Sequence, residues 1–180
     1  MSLDVGAVAK GYAAELACRE AYQSGFTSFI VSAGGNIVAG DAPLDGVRSG
    51  WGIGIQDPFT AQEPGGGNSI DVAYVSNTCV VTSGDYQRFY MVGDRRVHHI
   101  IDPDTLMPAD YYRGVTVITP DSGIADLAST TLYTLPFERS RAMAEAMGWE
   151  VMWIFADGTV ECTDGMLPLL RDRGGATGLL

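Results

Sequence analysis

Asp4, Gly6, Lys10 and Gly11 stand together in LDVGAVAKGYAAE, a loop with a carboxylate that runs into a helix with a lysine in its first turns. The start of a helix leaves backbone N–H groups unpaired and carries the positive end of the helix dipole, so such a run can hold an anion. Gly6 lets the backbone approach a ligand, and Gly11 lets another element pack closely on the helix. Far along the chain, Asp126 and Thr130 in ADLASTTLY are four residues apart, which puts their oxygens on one helical face. A carboxylate and a hydroxyl are hard ligands, suited to Mg2+ with water and phosphate oxygens completing the shell. The plainer alternative is that Asp126 only caps a helix.

Three further segments gather small and polar residues at the ends of apolar strands, where binding groups are often displayed. SAGGN holds Gly34 and Gly35, TSGDY holds Ser83, Gly84 and Asp85, and HHIIDP holds His99, Ile100 and Asp102. Read singly, SAGGN is a turn, TSGDY a turn capped by its own side chains, and Asp102-Pro103 a turn. His99 and Asp102 are the groups able to take a proton from a hydroxyl, and the residues leave the choice between them open.

Elements must bring these segments together. Apolar and small residues recur at helical spacing from Ala7 to Ser24, before Gly25. FTSFIVSA (Phe26–Ala33) reads as a buried strand, and Trp51–Ile55, Asp71–Val75, Cys79–Thr82 and Val115–Thr119 read as further strands. Pro58 to Asn68, with Gly65-Gly66-Gly67, is a loop. Phe89–Ile101 reads as a hairpin turning at Gly93-Asp94, and EVMWIFADGTVEC as one turning at Asp157-Gly158. Ile124–Leu135 and Glu138–Met147 have helical character and are parted by Pro136. Helices on a largely antiparallel sheet make a single α+β domain over residues 1–180.

The 46% hydrophobic and 18% charged content is that of a globular chain able to bury a core, and no apolar run is long enough to span a bilayer. A net charge of −11 argues against nucleic acid as partner, since phosphate backbones need a basic face. Cys18, Cys79 and Cys162 show no metal-binding spacing and no disulfide framework.

In their order, the runs DVGAVAKGYAAE, SAGGNIVAG, GIQDP, VVTSGDYQRFY, HHIIDP, VTVITP and ADLASTTLY resemble the ApbE-type flavin transferases, the FAD:protein FMN transferase family. The resemblance implies a tunnelling-fold-like α+β domain, with FAD as substrate and Mg2+ as cofactor. It implies cleavage of the FAD pyrophosphate, transfer of FMN to a Thr or Ser hydroxyl of an acceptor flavoprotein subunit, and release of AMP. It also implies work in the periplasm or on the outer face of the cytoplasmic membrane. By the same resemblance Asp4 and Lys10 contact FAD, and the Ala7 carbonyl, Asp126 and Thr130 hold the metal. His99 and Ile100 line the nucleotide site, and Gly34, Gly35, Ser83, Gly84 and Asp85 shape it.

Two departures accompany the resemblance. The first motif begins at Asp4, which leads to the expectation that this domain is the C-terminal portion of a longer architecture. Unpaired strand edges would then favour a homodimer. After HHIIDP the chain reads Asp104, Thr105, Leu106, where the family usually has a basic residue, Thr and Gly. These departures keep a second reading in view, a flavin- or metal-binding module without turnover.

Overall fold

A computed structural model of the chain describes residues 4–65 and 67–180; Met1–Leu3 and Gly66, the middle of the glycine run, lie outside the described residues. The helical stripe near the start forms α1 (Gly6–Gln23), which buries Gly11, Ala14 and Cys18. β1 (Ile30–Ala33) and β2 (Asn36–Ala39) follow as a hairpin, with Gly34 and Gly35 at φ of 56° and 96°. A two-residue turn with both residues left-handed matches the twist of its strands, and glycine takes that conformation without strain. SAGGN is thus the turn that its composition predicts.

Next come β3 (Trp51–Gln56), β4 (Ser69–Val75), β5 (Thr78–Gly84), β6 (Phe89–Val92), β7 (Arg95–His98) and β8 (Gly114–Thr119). The chain continues through α2 (Ser122–Tyr133), α3 (Phe137–Met147), β9 (Glu150–Ile154) and β10 (Val160–Cys162), then a 3₁₀ turn at Leu167–Leu169 and the short helix α4 (Arg171–Gly174). Six strands form one sheet in the order β1-β2-β5-β8-β9-β10, and each neighbouring pair is antiparallel. β3–β4 and β6–β7 form separate two-stranded ribbons.

Strand alternation sorts the core into two layers. Cys79 and Val81 of β5, Val115 and Val117 of β8, and Val151 and Trp153 of β9 face the helices. Their neighbours Val80, Ile118, Met152 and Ile154 face the other way, onto Ile53, Ile55, Ala73 and Val75 of the β3–β4 ribbon. The C-terminal segment closes that second layer with Met166 and Leu170. Asp71 on β4, fully buried, fastens this segment by accepting from the Asp172 and Arg173 amides at 2.9 and 3.2 Å and from Arg173 Nη1 at 3.0 Å. Among the described residues no helix is long and apolar enough to cross a membrane.

The fold is the α+β arrangement read from the sequence, with one strand corrected. FTSFIVSA is not a buried strand: only Ile30–Ala33 is regular, and its residues alternate between exposed and half-buried. It pairs with β2 alone, so it is an edge of the sheet and one side of its backbone faces outward.

Candidate functional site

α1 delivers the first group of site residues. Asp4 Oδ1 accepts from the Gly6 amide at 2.7 Å, so the carboxylate that precedes the helix satisfies one of its first N–H groups. One turn on, Gly11 lies flat against α2: a Cβ there would sit 2.7 Å from Asp126 Cβ and press on the Ser122 carbonyl. That approach lets the Gly11 amide donate to Asp126 Oδ2 at 2.9 Å. Gly11→Ala is therefore expected to push the helices apart at a cost of about 1–3 kcal/mol. Urea denaturation would measure it, and an unchanged midpoint would show that the helices yield freely.

α2 supplies the second group. Its N-cap is Asp121, whose Oδ1 accepts from Ile124 N at 2.9 Å, so the helix-cap reading of Asp126 falls away. Asp126 faces α1 instead, its side chain 3% exposed, with Lys10 Nζ at 3.0 Å from Oδ1 and 3.3 Å from Oδ2. One turn later the hydroxyls of Ser129 and Thr130 donate back to the Asp126 carbonyl at 3.1 and 3.2 Å. Ser83, from the end of β5, lies 2.8 Å from Ser129 Oγ and 3.2 Å from Thr130 Oγ1, which ties the sheet to this face of α2.

These elements wall a cleft of about 660 Å³. Of the residues singled out from sequence, Asp4, Ala7, Lys10, Gly34, Ser83, Gly84, His99, Ile100, Asp126 and Thr130 line it. His99 is exposed, with Nδ1 3.4 Å from the Arg88 carbonyl oxygen, whereas Ile100 is buried. His98 points away: its Nε2 is 2.8 Å from the Ala109 carbonyl, and Nδ1 accepts from the Ile100 amide at 3.3 Å. That pairing makes Nε2 the protonated nitrogen, and burial lowers the basicity of the ring.

Three of the sequence candidates stand elsewhere. Gly35 is in the β1–β2 turn but not among the residues lining the cleft. Asp102 organises its own loop, accepting from the Asp104 and Thr105 amides at 2.8 and 3.3 Å and from the Tyr111 hydroxyl at 3.4 Å. The Asp104 amide foremost holds its carboxyl below the usual carboxylate range. Asp102 is not among the residues that line the cleft.

Asp85 is 1% exposed and receives Arg96 Nη1 at 3.0 Å and Arg113 Nη1 at 2.6 Å. It belongs to a second groove of about 480 Å³ with His98, Phe59 and Met91. Its two ion pairs join the end of β5 to β7 and the start of β8. Asp85→Ala is expected to cost about 2–4 kcal/mol, less than breaking a fully buried pair, because both arginines reach solvent. A thermal melt would register that loss; an unchanged Tm would overturn the role.

The cleft also holds residues to which the sequence reading assigned no part, chiefly Arg88, with Gln87, Thr82 and Ile101. Arg88 is a second basic residue on the cleft that Lys10 lines, in a chain whose net charge is −11. A cation four residues beyond a strand that ends at Gly84 was the available signal. Ala7, Asp126 and Thr130, the residues that the family resemblance assigns to a metal, all line this one cleft. Among the described residues no group of three or more His, Cys, Asp or Glu is placed to hold a metal ion. A hard-donor set with one carboxylate fits Mg2+ only when ligand phosphate and water complete the shell.

This architecture has known counterparts. Residues 1–153 match the model of the ApbE family, and the chain belongs to that family. Among its particular relatives is the FAD:protein FMN transferase of Treponema pallidum, 36% identical over 180 residues, an alignment covering 95% of this chain and 48% of that protein. The FAD:protein FMN transferase of Klebsiella pneumoniae is 31% identical over 158 residues, 87% of this chain and 43% of the relative. The solved structure of the ApbE protein from Thermotoga maritima superposes with a TM-score of 0.83 at 30% identity, over 93% of this chain and 53% of that one. Flavinyl transferase ApbE from Pseudomonas stutzeri, in its apo form, gives 0.77 at 28% identity, over 98% and 53%. The chain thus spans about half the length of the relatives it matches.

Proposed function

We propose that the cleft takes FAD and that the protein transfers FMN from it to a Ser or Thr hydroxyl of an acceptor flavoprotein, releasing AMP. The observation that carries this reading is the single wall on which Lys10, Asp126, Thr130 and Ser83 meet, in a chain of the ApbE family. Attack of the hydroxyl oxygen on the FMN phosphorus breaks the pyrophosphate P–O bond, and AMP leaves with that bond's electrons. Negative charge then grows on the phosphoryl and leaving oxygens, so fixed positive charge beside them is the main source of rate.

Lys10 and Arg88, both lining the cleft, supply such charge. Ala7, Asp126 and Thr130 would hold Mg2+, which when bound neutralises phosphate oxygens. His99 accepts the proton from the attacking hydroxyl. Gly34, where a Cβ would meet nothing, leaves room for the nucleotide to lie close to the backbone, whereas the space beside Gly84 is filled by Tyr86.

The test is AMP release and covalent flavin on an acceptor when the protein is incubated with FAD and Mg2+. Both products support the transferase, whereas FAD binding without AMP would make the chain a flavin-binding module. The same reading sets the acceptor outside the cytoplasmic membrane, which labelling of periplasmic and cytosolic fractions would check. The open outer edges of β1 and β10 support a homodimer. A monomeric mass in light scattering would refute it.

A further inference from the structure

We propose that Lys10 and a divalent cation compete for the Asp126 carboxylate, and that a bound pyrophosphate draws Lys10 away and opens the carboxylate to the metal. This rests on the reading of the cleft as a nucleotide and metal site, and concerns the order in which its ligands arrive.

Both carboxylate oxygens of Asp126 are taken. Lys10 Nζ spans them at 3.0 and 3.3 Å, and the Gly11 amide holds Oδ2 at 2.9 Å. The carboxylate is 3% exposed, so it must keep a cationic partner at all times. The Lys10 side chain is 42% exposed, and its end is free to leave while the Gly11 amide stays with the backbone. Lys10 is also the only lysine of the chain, so no second ammonium can replace it on Asp126.

A divalent ion beside Lys10 would set three positive charges against the Asp126 carboxylate, and Asp4, the other carboxylate that lines the cleft, is already engaged by the Gly6 amide at 2.7 Å. Metal alone therefore meets a ligand already occupied. A pyrophosphate brings the missing negative charge: Lys10 would turn to a phosphoryl oxygen, which would leave the Asp126 carboxylate, with Thr130, to hold the metal. Each ligand raises the affinity of the other by the same factor.

The first readout is Mn2+ binding to the nucleotide-free protein, followed by the electron paramagnetic resonance of free Mn2+. Lys10→Met is expected to bind Mn2+ at least tenfold more tightly than wild type. Lys10→Arg, which keeps the charge, stays within about threefold of wild type, and adding Asp126→Asn to Lys10→Met abolishes the gain. Equal or weaker Mn2+ binding by Lys10→Met overturns the proposal.

The second readout uses the wild-type chain, so it survives a variant that fails to fold. Reductive 13C-methylation gives one lysine side-chain resonance, separable from the terminal amine. FAD without metal is expected to shift it and to raise Mn2+ affinity at least tenfold. A Lys10 resonance that FAD leaves unmoved, while FAD and Mn2+ both bind, overturns the handover but leaves the nucleotide site standing. Absence of both FAD and Mn2+ binding overturns the site and the handover together.

Discussion

Asp126→Asn is expected to lower FMN transfer by about a thousandfold while leaving the fold in place. The amide is nearly isosteric, and its oxygen still accepts from the Gly11 amide, which now lies 2.9 Å from Oδ2. What is lost is the charge that pairs with Lys10 and would hold Mg2+ against the phosphates. Removing one group that stabilises developing charge costs about 10²–10³ in rate, and here the group removed is the one carboxylate proposed to hold the metal. Asp126→Ala adds a stability cost, since the buried Gly11 amide loses its acceptor at about 1–3 kcal/mol. In a domain of this size each kcal/mol shifts Tm by about 2–4 °C. Single-turnover AMP release and a thermal melt on both variants separate the effects. Asp126→Asn turnover within tenfold of wild type would remove Asp126 from the metal site.

His99→Ala is expected to lower kcat by about 10²–10⁴, the range for losing a positioned general base, with FAD affinity changed only a few-fold. Asp102→Asn is expected to leave kcat within a few-fold, because that carboxylate serves the Asp102–Thr105 turn and not the cleft. The pair of variants decides a question that the residue types alone left open. A large kcat loss in Asp102→Asn with His99→Ala near wild type would reverse the assignment. Flavin fluorescence gives the affinities and AMP release gives the rates.

Several of these placements were legible in the sequence because they depend on local geometry. The four-residue spacing of Asp126 and Thr130 is enough to put both on one face of α2. The two glycines of SAGGN are enough to mark a tight hairpin turn. His98 and His99 are neighbours where β7 ends, so their side chains diverge, one into the protein and one into the cleft.

What was not legible depends on where strands stop and on contacts across the chain. β5 ends at Gly84, so Ser83 still faces α2 while Asp85 departs toward Arg96 and Arg113. From TSGDY alone the three residues look like one group. Lys10 and Asp126 are 116 residues apart, and only the packing of α1 on α2 makes them a pair. FTSFIVSA misled for a related reason, and Asp102 is engaged by its own turn. A carboxylate before proline looks available until its own turn consumes it, and an apolar run looks buried until the sheet order makes it an edge.

The contact between Gly11 and Asp126 has a consequence for how the molecule breathes. α1 is fastened to the rest of the domain through the same carboxylate that anchors the cleft, so docking the helix and completing the site are one event. Whatever occupies the cleft has to let go before α1 can lift. The amides from Val8 to Ala14 are thus expected to exchange more slowly when FAD is added, which hydrogen-exchange mass spectrometry would check. On the proposed reading of the cleft, the first helix would act as a latch that the nucleotide closes.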